Sequence, residues 1–181
     1  MQKILIVLLI LIAFISGSNG ENVLKDNFTN ENEWTYIADN VMGGVSEGGV
    51  EFNLVDSDIY ALLSGKVSTE NNGGFIQIRR QLKNIDLSKA KSIRLYARGN
   101  NEKYYIFLRT TGTILPWHYY SHEFTVNEEY NEFIMPIKDF KKSGALLAKQ
   151  INPKKITSIG IVAYGRDHFA ELYVKELEFL E

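Results

Sequence analysis

Gly44-Val45-Ser46-Glu47-Gly48 matches G-x-S-x-G, the serine-hydrolase nucleophile elbow, in which a strained strand-to-helix turn exposes the serine hydroxyl. With Gly43 and Gly49 beside it, the stretch is also glycine-rich enough to suggest a phosphate cradle. The surroundings suit neither chemistry. An elbow needs a helix after the serine, whereas residues 50–55 read VEFNLV, a β-branched, alternating run. A phosphate loop needs Gly-Lys-Ser/Thr opening a helix, and here Glu47 would repel the phosphate. Ser46 is therefore read as a structural residue, with a hydrolase using Ser46 kept only as a distant alternative. On this reading Ser46→Ala is expected to leave the fold and any activity nearly unchanged. Gly43→Val and Gly73→Val are expected to destabilise the protein, because paired glycines indicate positive φ or close backbone packing.

His118 and His122 flank the stretch HYYSH. On a helix, histidines four apart would converge on one metal ion. The stretch follows Pro116 and is rich in aromatics, so it reads as a strand, on which the two stand roughly 13 Å apart. Asp56 with Asp58, or Asp39 with nearby carbonyls, offers oxygen ligands for calcium, although the spacing matches no calcium loop and a solvated turn accounts for it. No metal, cofactor or catalytic residue is assigned. Arg79, Arg94 or Arg98, and Arg109 are expected to lie near Tyr105, Phe107, Trp117 and Tyr119. Arginines beside aromatics on a sheet either form a binding surface through stacking and forked hydrogen bonds or flank the sheet and satisfy acidic neighbours.

The elements that must position these residues have a period of two. Ile93, Leu95 and Ala97 alternate with Arg94, Tyr96 and Arg98; Tyr104, Ile106 and Leu108 alternate with Tyr105, Phe107 and Arg109. Phe75, Gln77 and Arg79 share one face of their segment, and Ile76, Ile78 and Leu82 the other. Such alternation marks strands with one face buried. Further strands are predicted over 49–54, 59–67, 117–126, 131–136, 156–164 and 170–180. In the last of these the apolar phase changes between Val174 and Leu177, which predicts a β-bulge at Lys175 and Glu176. Helix is confined to one turn in 86–91 and a short helix in 139–150. Many short strands with regular turns indicate an all-β, single-domain β-sandwich.

Lys3 precedes an apolar run over residues 4–15 and the small residues SGSNG. The run is too short for a transmembrane helix, which needs about 20 residues, and the pattern is that of a signal peptide cut after Gly20. The expected organisation is a signal peptide over 1–20 and one domain over 21–181, with no membrane span after cleavage. The chain has 20 basic and 22 acidic residues and a net charge of −2, which excludes the basic footprint of a nucleic-acid binder. It has no cysteine, so neither disulfides nor thiolate chemistry contribute.

Trp34, the run Asp39-Asn40-Val41-Met42-Gly43-Gly44-Val45-Ser46, and Asn71-Asn72-Gly73-Gly74-Phe75 with Arg79 resemble the complex I intermediate-associated protein family. Arg98-Gly99, Tyr104 with Arg109, and the strands at 133–136 and 156–162 extend the likeness over almost all of the mature chain. The resemblance implies a galactose-binding-like jelly roll and an assembly chaperone or binding module without catalysis. It also implies that Trp34, Asp39, Met42, Gly43, Gly44, Ser46, Gly73, Gly74, Phe75, Arg79, Arg98 and Arg109 form the family signature. The reading is an exported, secreted or periplasmic, non-enzymatic module that binds a protein client. The alternative is a carbohydrate-binding module that takes a glycan on an aromatic platform at Trp117 or Tyr119.

Overall fold

A computed structural model describes residues 22–55 and 58–181. The predicted signal peptide and the calcium candidate Asp56 lie outside the described residues. Twelve strands run in chain order: β1 (Asn22–Asp26), β2 (Trp34–Ala38), β3 (Glu47–Val55), β4 (Asp58–Val67), β5 (Phe75–Gln81), β6 (Ser92–Gly99), β7 (Lys103–Thr110), β8 (Tyr120–Thr125), β9 (Asn131–Pro136), β10 (Lys141–Lys142), β11 (Ile156–Tyr164) and β12 (His168–Leu180). They form two six-stranded antiparallel sheets. One has the order β3-β4-β12-β6-β9, with β1 also paired to β12; the other has the order β10-β8-β7-β11-β5-β2. The fold is an all-β jelly-roll sandwich. Among the described residues no helix is long and apolar enough to cross a membrane.

The alternation read from the sequence decides which side chains face inward. Ile76 and Ile78 of β5, Ile93 and Leu95 of β6, Ile106 and Leu108 of β7, and Ile159 and Ile161 of β11 are fully buried between the sheets. At about 25 cal/mol per Å² of apolar surface, this burial is the main driving force for folding. The bulge in β12 falls where the phase change places it. Val174 pairs with Ala97 and Glu176 with Tyr96, so Lys175 is the extra residue and Leu177 and Phe179 return to the core.

Two local expectations are corrected. The strand expected at 117–126 begins at Tyr120, because residues 115–118 form a turn closed by His118 N–H donating to the Leu115 carbonyl at 3.0 Å. The helix expected in 139–150 does not form. Lys141 and Lys142 instead pair with Ser121 and Tyr120, and Lys142 Nζ donates to the carbonyls of Ala145 and Leu147. Only Leu147 of that segment's last apolar residues is buried, and Leu146 is exposed, so no apolar stripe exists to dock a helix. Residues 86–91 hold a single turn in which Ala90 N–H donates to Leu87. β1 and β2 were not predicted: both are five residues long and at the sheets' periphery, and β2's burial does not alternate.

Candidate functional site

The outer face of the second sheet carries a groove of about 640 Å³. Its floor follows from strand register. Across the sheet, Thr35, Arg79, Gly160, Phe107 and Ser121 occupy one row. The adjacent rows hold Ile37–Gln77–Val162–Tyr105 on one side and Gln81–Ser158–Arg109 on the other. Gly160 and Ser158 are small residues at the centre of the sheet, so the surface dips between Arg79 and Phe107. The odd residues of β5 and β7 that the sequence places on the solvated face therefore meet here.

Aromatic rings build one wall. Phe107 and Tyr119 stack with centroids 3.9 Å apart and planes 9° from parallel. Tyr164 meets both edge-on, at 5.5 Å and 6.2 Å. Burial, followed by the neighbouring Tyr164 hydroxyl, raises the Tyr119 phenol well above its ordinary value, which keeps it neutral. Trp117 stands at the rim, 61% exposed. Its segment is fixed from two sides. Arg109 donates to the carbonyls of Thr113, Leu115 and Pro116 at 2.9–3.0 Å, and Ser143 Oγ donates to the Trp117 carbonyl at 3.1 Å and accepts from Tyr119 N–H at 3.0 Å. Arg109 thus positions the loop that carries the platform.

The floor is polar. Gln77 is 4% exposed and lines the groove, and its side-chain amide makes no hydrogen bond among the described residues. Arg79 is half-buried beside it. Burial, and then the like charge of Arg109, lower its guanidinium from the ordinary value. Gln77, Tyr164 and Gly160 were missed as site residues, although the face shared by Phe75, Gln77 and Arg79 pointed to the first.

The opposite wall is the glycine-rich pair of loops, tied together by one carboxylate. Asp39 is fully buried. Its Oδ1 accepts from Ser46 N–H at 2.9 Å, and its Oδ2 accepts from Ser46 Oγ at 2.5 Å, Gly74 N–H at 2.5 Å and Phe75 N–H at 3.2 Å. Burial alone would raise its carboxyl, and these donors more than offset that, so it titrates below the ordinary aspartate value. With its lone pairs directed at donors, Asp39 is not available as a calcium ligand, which corrects that reading. A Cβ on Gly44 or Gly73 would fall inside the Asp39 carboxylate, while Gly43 (φ 90°) and Gly74 (φ 126°) hold backbone angles that side chains disfavour. Val41, Met42, Asn72 and Phe75 reach the groove from this clasp.

Ser46 is 2% exposed and belongs to the clasp: its hydroxyl donates to Asp39 and accepts from Ser68 N–H at 3.0 Å. It is sealed from solvent, pairs with no histidine among the described residues, and β3 follows it immediately. The hydroxyl's two partners overturn the expectation that its loss is neutral for folding. Ser46→Ala should cost about 1–2 kcal/mol, since a buried N–H and a buried carboxylate each lose a partner. Thermal melts should show this loss, while ligand binding at the groove persists.

The remaining candidates separate. Trp34 is a core residue, its ring tilted against Phe28 with centroids 5.1 Å apart and its Nε1 donating to Asp26 at 2.9 Å. Arg94 and Arg98 lie on β6 of the other sheet, which corrects their grouping with Arg79 and Arg109. Arg94 pairs with Glu132, Glu176 and Glu178, and Arg98 sits 3.9 Å from the Tyr173 ring. His118 is buried, within van der Waals reach of Gly144, whereas His122 lies on β8 near the Phe140 ring. Among the described residues no group of three or more histidines, aspartates or glutamates could hold a metal ion.

Solved structures similar to this one include carbohydrate-binding modules. The family 11 module from Clostridium thermocellum in complex with a β-1,3-1,4-mixed-linked tetrasaccharide superposes with a TM-score of 0.70 at 13% identity, covering 86% of this chain and 92% of that one. The family 11 module of the cellulosomal cellulase Lic26A-Cel5E of the same organism gives 0.70 at 12% identity, with the same coverage. A family 30 module gives 0.53 at 12% identity, covering 76% and 92%. At these identities the likeness establishes the jelly roll. No curated protein matches the sequence. The profile of complex I intermediate-associated protein 30 matches residues 24–172, a span that includes both glycine loops, the Asp39 clasp and the groove strands, and the chain belongs to that family.

Proposed function

We propose that this protein is a non-catalytic glycan-binding module that works outside the cytoplasm after removal of residues 1–20. The observation that carries the proposal is the groove: a stacked aromatic wall, an exposed tryptophan at the rim, and a polar floor of Gln77 and Arg79. Its volume of about 640 Å³ and its mixture of rings with few polar groups suit a chain of sugars. Pyranose C–H faces pack on flat rings, and buried amide and guanidinium groups hydrogen-bond ring hydroxyls. The tetrasaccharide-bound jelly roll of similar fold supports this reading.

Trp117→Ala is the test. Trp117 is mostly exposed, so its removal should leave the melting temperature within about 1 °C of the unmodified protein. Polysaccharide affinity should fall by roughly tenfold or more, as expected when an aromatic anchor is truncated. Affinity electrophoresis against a panel of soluble polysaccharides measures it. Unretarded mobility of the unmodified protein on every polysaccharide would end the glycan reading.

A second reading, a protein client, is favoured by the apolar rim, where Val41 and Met42 are 71% and 54% exposed on the same groove as Trp117. In that case Val41→Asp abolishes capture of the client and leaves polysaccharide mobility unchanged.

A further inference from the structure

Resting on the glycan reading, we infer that the groove selects acidic glycans, with Arg79 receiving a carboxylate or sulfate group of the sugar. Among the described residues no aspartate or glutamate lines the groove, although acidic residues outnumber basic ones in the chain as a whole. Its fixed charges are two guanidinium groups, and the two differ. Arg109 has its N–H donors engaged by three backbone carbonyls, which satisfy its geometry and leave its charge uncompensated. Arg79 makes neither a hydrogen bond nor an ion pair among the described residues. It is nevertheless half-buried on the groove floor, opposite Gly160 and next to Gln77, whose side-chain amide also makes no hydrogen bond among the described residues.

A half-buried guanidinium facing a like charge is unfavourable in the empty groove. Other arginines have partners: Arg80 pairs with Asp26 and Glu33, Arg94 with Glu132, Glu176 and Glu178, and Arg109 donates to three backbone carbonyls. Arg79, adjacent to Arg80, has none. An anionic substituent in the groove supplies the missing charge, and the planar fork of Arg79 matches a carboxylate or sulfate by two parallel hydrogen bonds. The Gln77 amide then serves a neighbouring hydroxyl, and the rings pack the sugar faces.

The experiment compares alginate (carboxylate), carrageenan (sulfate) and neutral mixed-linkage β-glucan by isothermal titration calorimetry at low and high salt, with the unmodified protein and Arg79→Gln. At low salt, at least one acidic polymer should bind about tenfold tighter than the neutral one, as a charge-assisted pair of hydrogen bonds provides. That advantage should shrink as salt rises. The polymer that binds identifies the acid group. Arg79→Gln should remove the advantage of the acidic polymer over the neutral one and melt at the same or a higher temperature. Equal affinity for neutral and acidic polymers, or no effect of Arg79→Gln, overturns the inference while the glycan reading stands. A lower melting temperature in Arg79→Gln also overturns it, by making Arg79 a structural residue. Binding of no polymer removes both.

Discussion

Asp39→Asn is expected to destabilise the protein by about 3–5 kcal/mol, although it preserves the side chain's size. The four donors that converge on the Asp39 carboxylate come from Ser46, Gly74 and Phe75. An amide keeps one acceptor oxygen and turns its –NH2 toward donors, so at least one buried N–H loses its partner and faces another hydrogen. For a domain of this size the loss corresponds to roughly 10 °C in melting temperature, measured by circular dichroism. A melt within a degree or two of the unmodified protein would show that the clasp carries little energy. The pH dependence has a fixed sign. The folded carboxyl titrates below its unfolded value, so its contribution is complete above about pH 4 and is lost as pH falls through the lower, folded value. Asp39→Asn should flatten that acid limb.

Gly73→Ala should cost about 2–3 kcal/mol by overpacking the same clasp. Gly73 has φ −77°, a value open to any residue, so its constraint is room and not backbone angle. An added methyl would intrude on Asp39 Oδ2 and lie 3.0 Å from Gly44 Cα. Both obstacles are held in place, one by four hydrogen bonds and the other by main chain, so neither yields without opening the loop. In urea, the expected outcome is a lower midpoint with an unchanged slope. Because Gly73 and Asn72 line the groove, ligand affinity should fall as well. Gly43→Ala is the contrast: its Cβ would meet open space, and the cost there comes from φ 90° alone.

Strand alternation was enough to identify β5, β6 and β7, the core residues that they bury, and the bulge in β12. Period two leaves few choices when one face must be dry. The same pattern placed Phe75, Gln77 and Arg79 on one face and Phe107 and Arg109 on another. The peripheral strands β1 and β2 were not legible, because a strand at a sheet's margin is not forced to alternate. The segment 139–150 was misread because helix propensity is local, whereas pairing with β8 and the Lys142 hydrogen bonds are tertiary.

The sequence by itself determined the sandwich, its core and the family to which its signature residues point, since burial periodicity and glycine placement are local properties. It also ruled against Ser46 as a nucleophile, through the strand that follows it. Only the tertiary structure decided what those signature residues do. Residues 39–46 and 71–75 lie some thirty positions apart in sequence, and a single buried carboxylate joins them because antiparallel pairing brings both loops to one end of the second sheet. The same register placed Arg79 across Gly160 from Phe107 and sent Arg98 to the other sheet. Which polar side chains share a groove depends on which strands are neighbours, and strand order is set by packing across the whole chain.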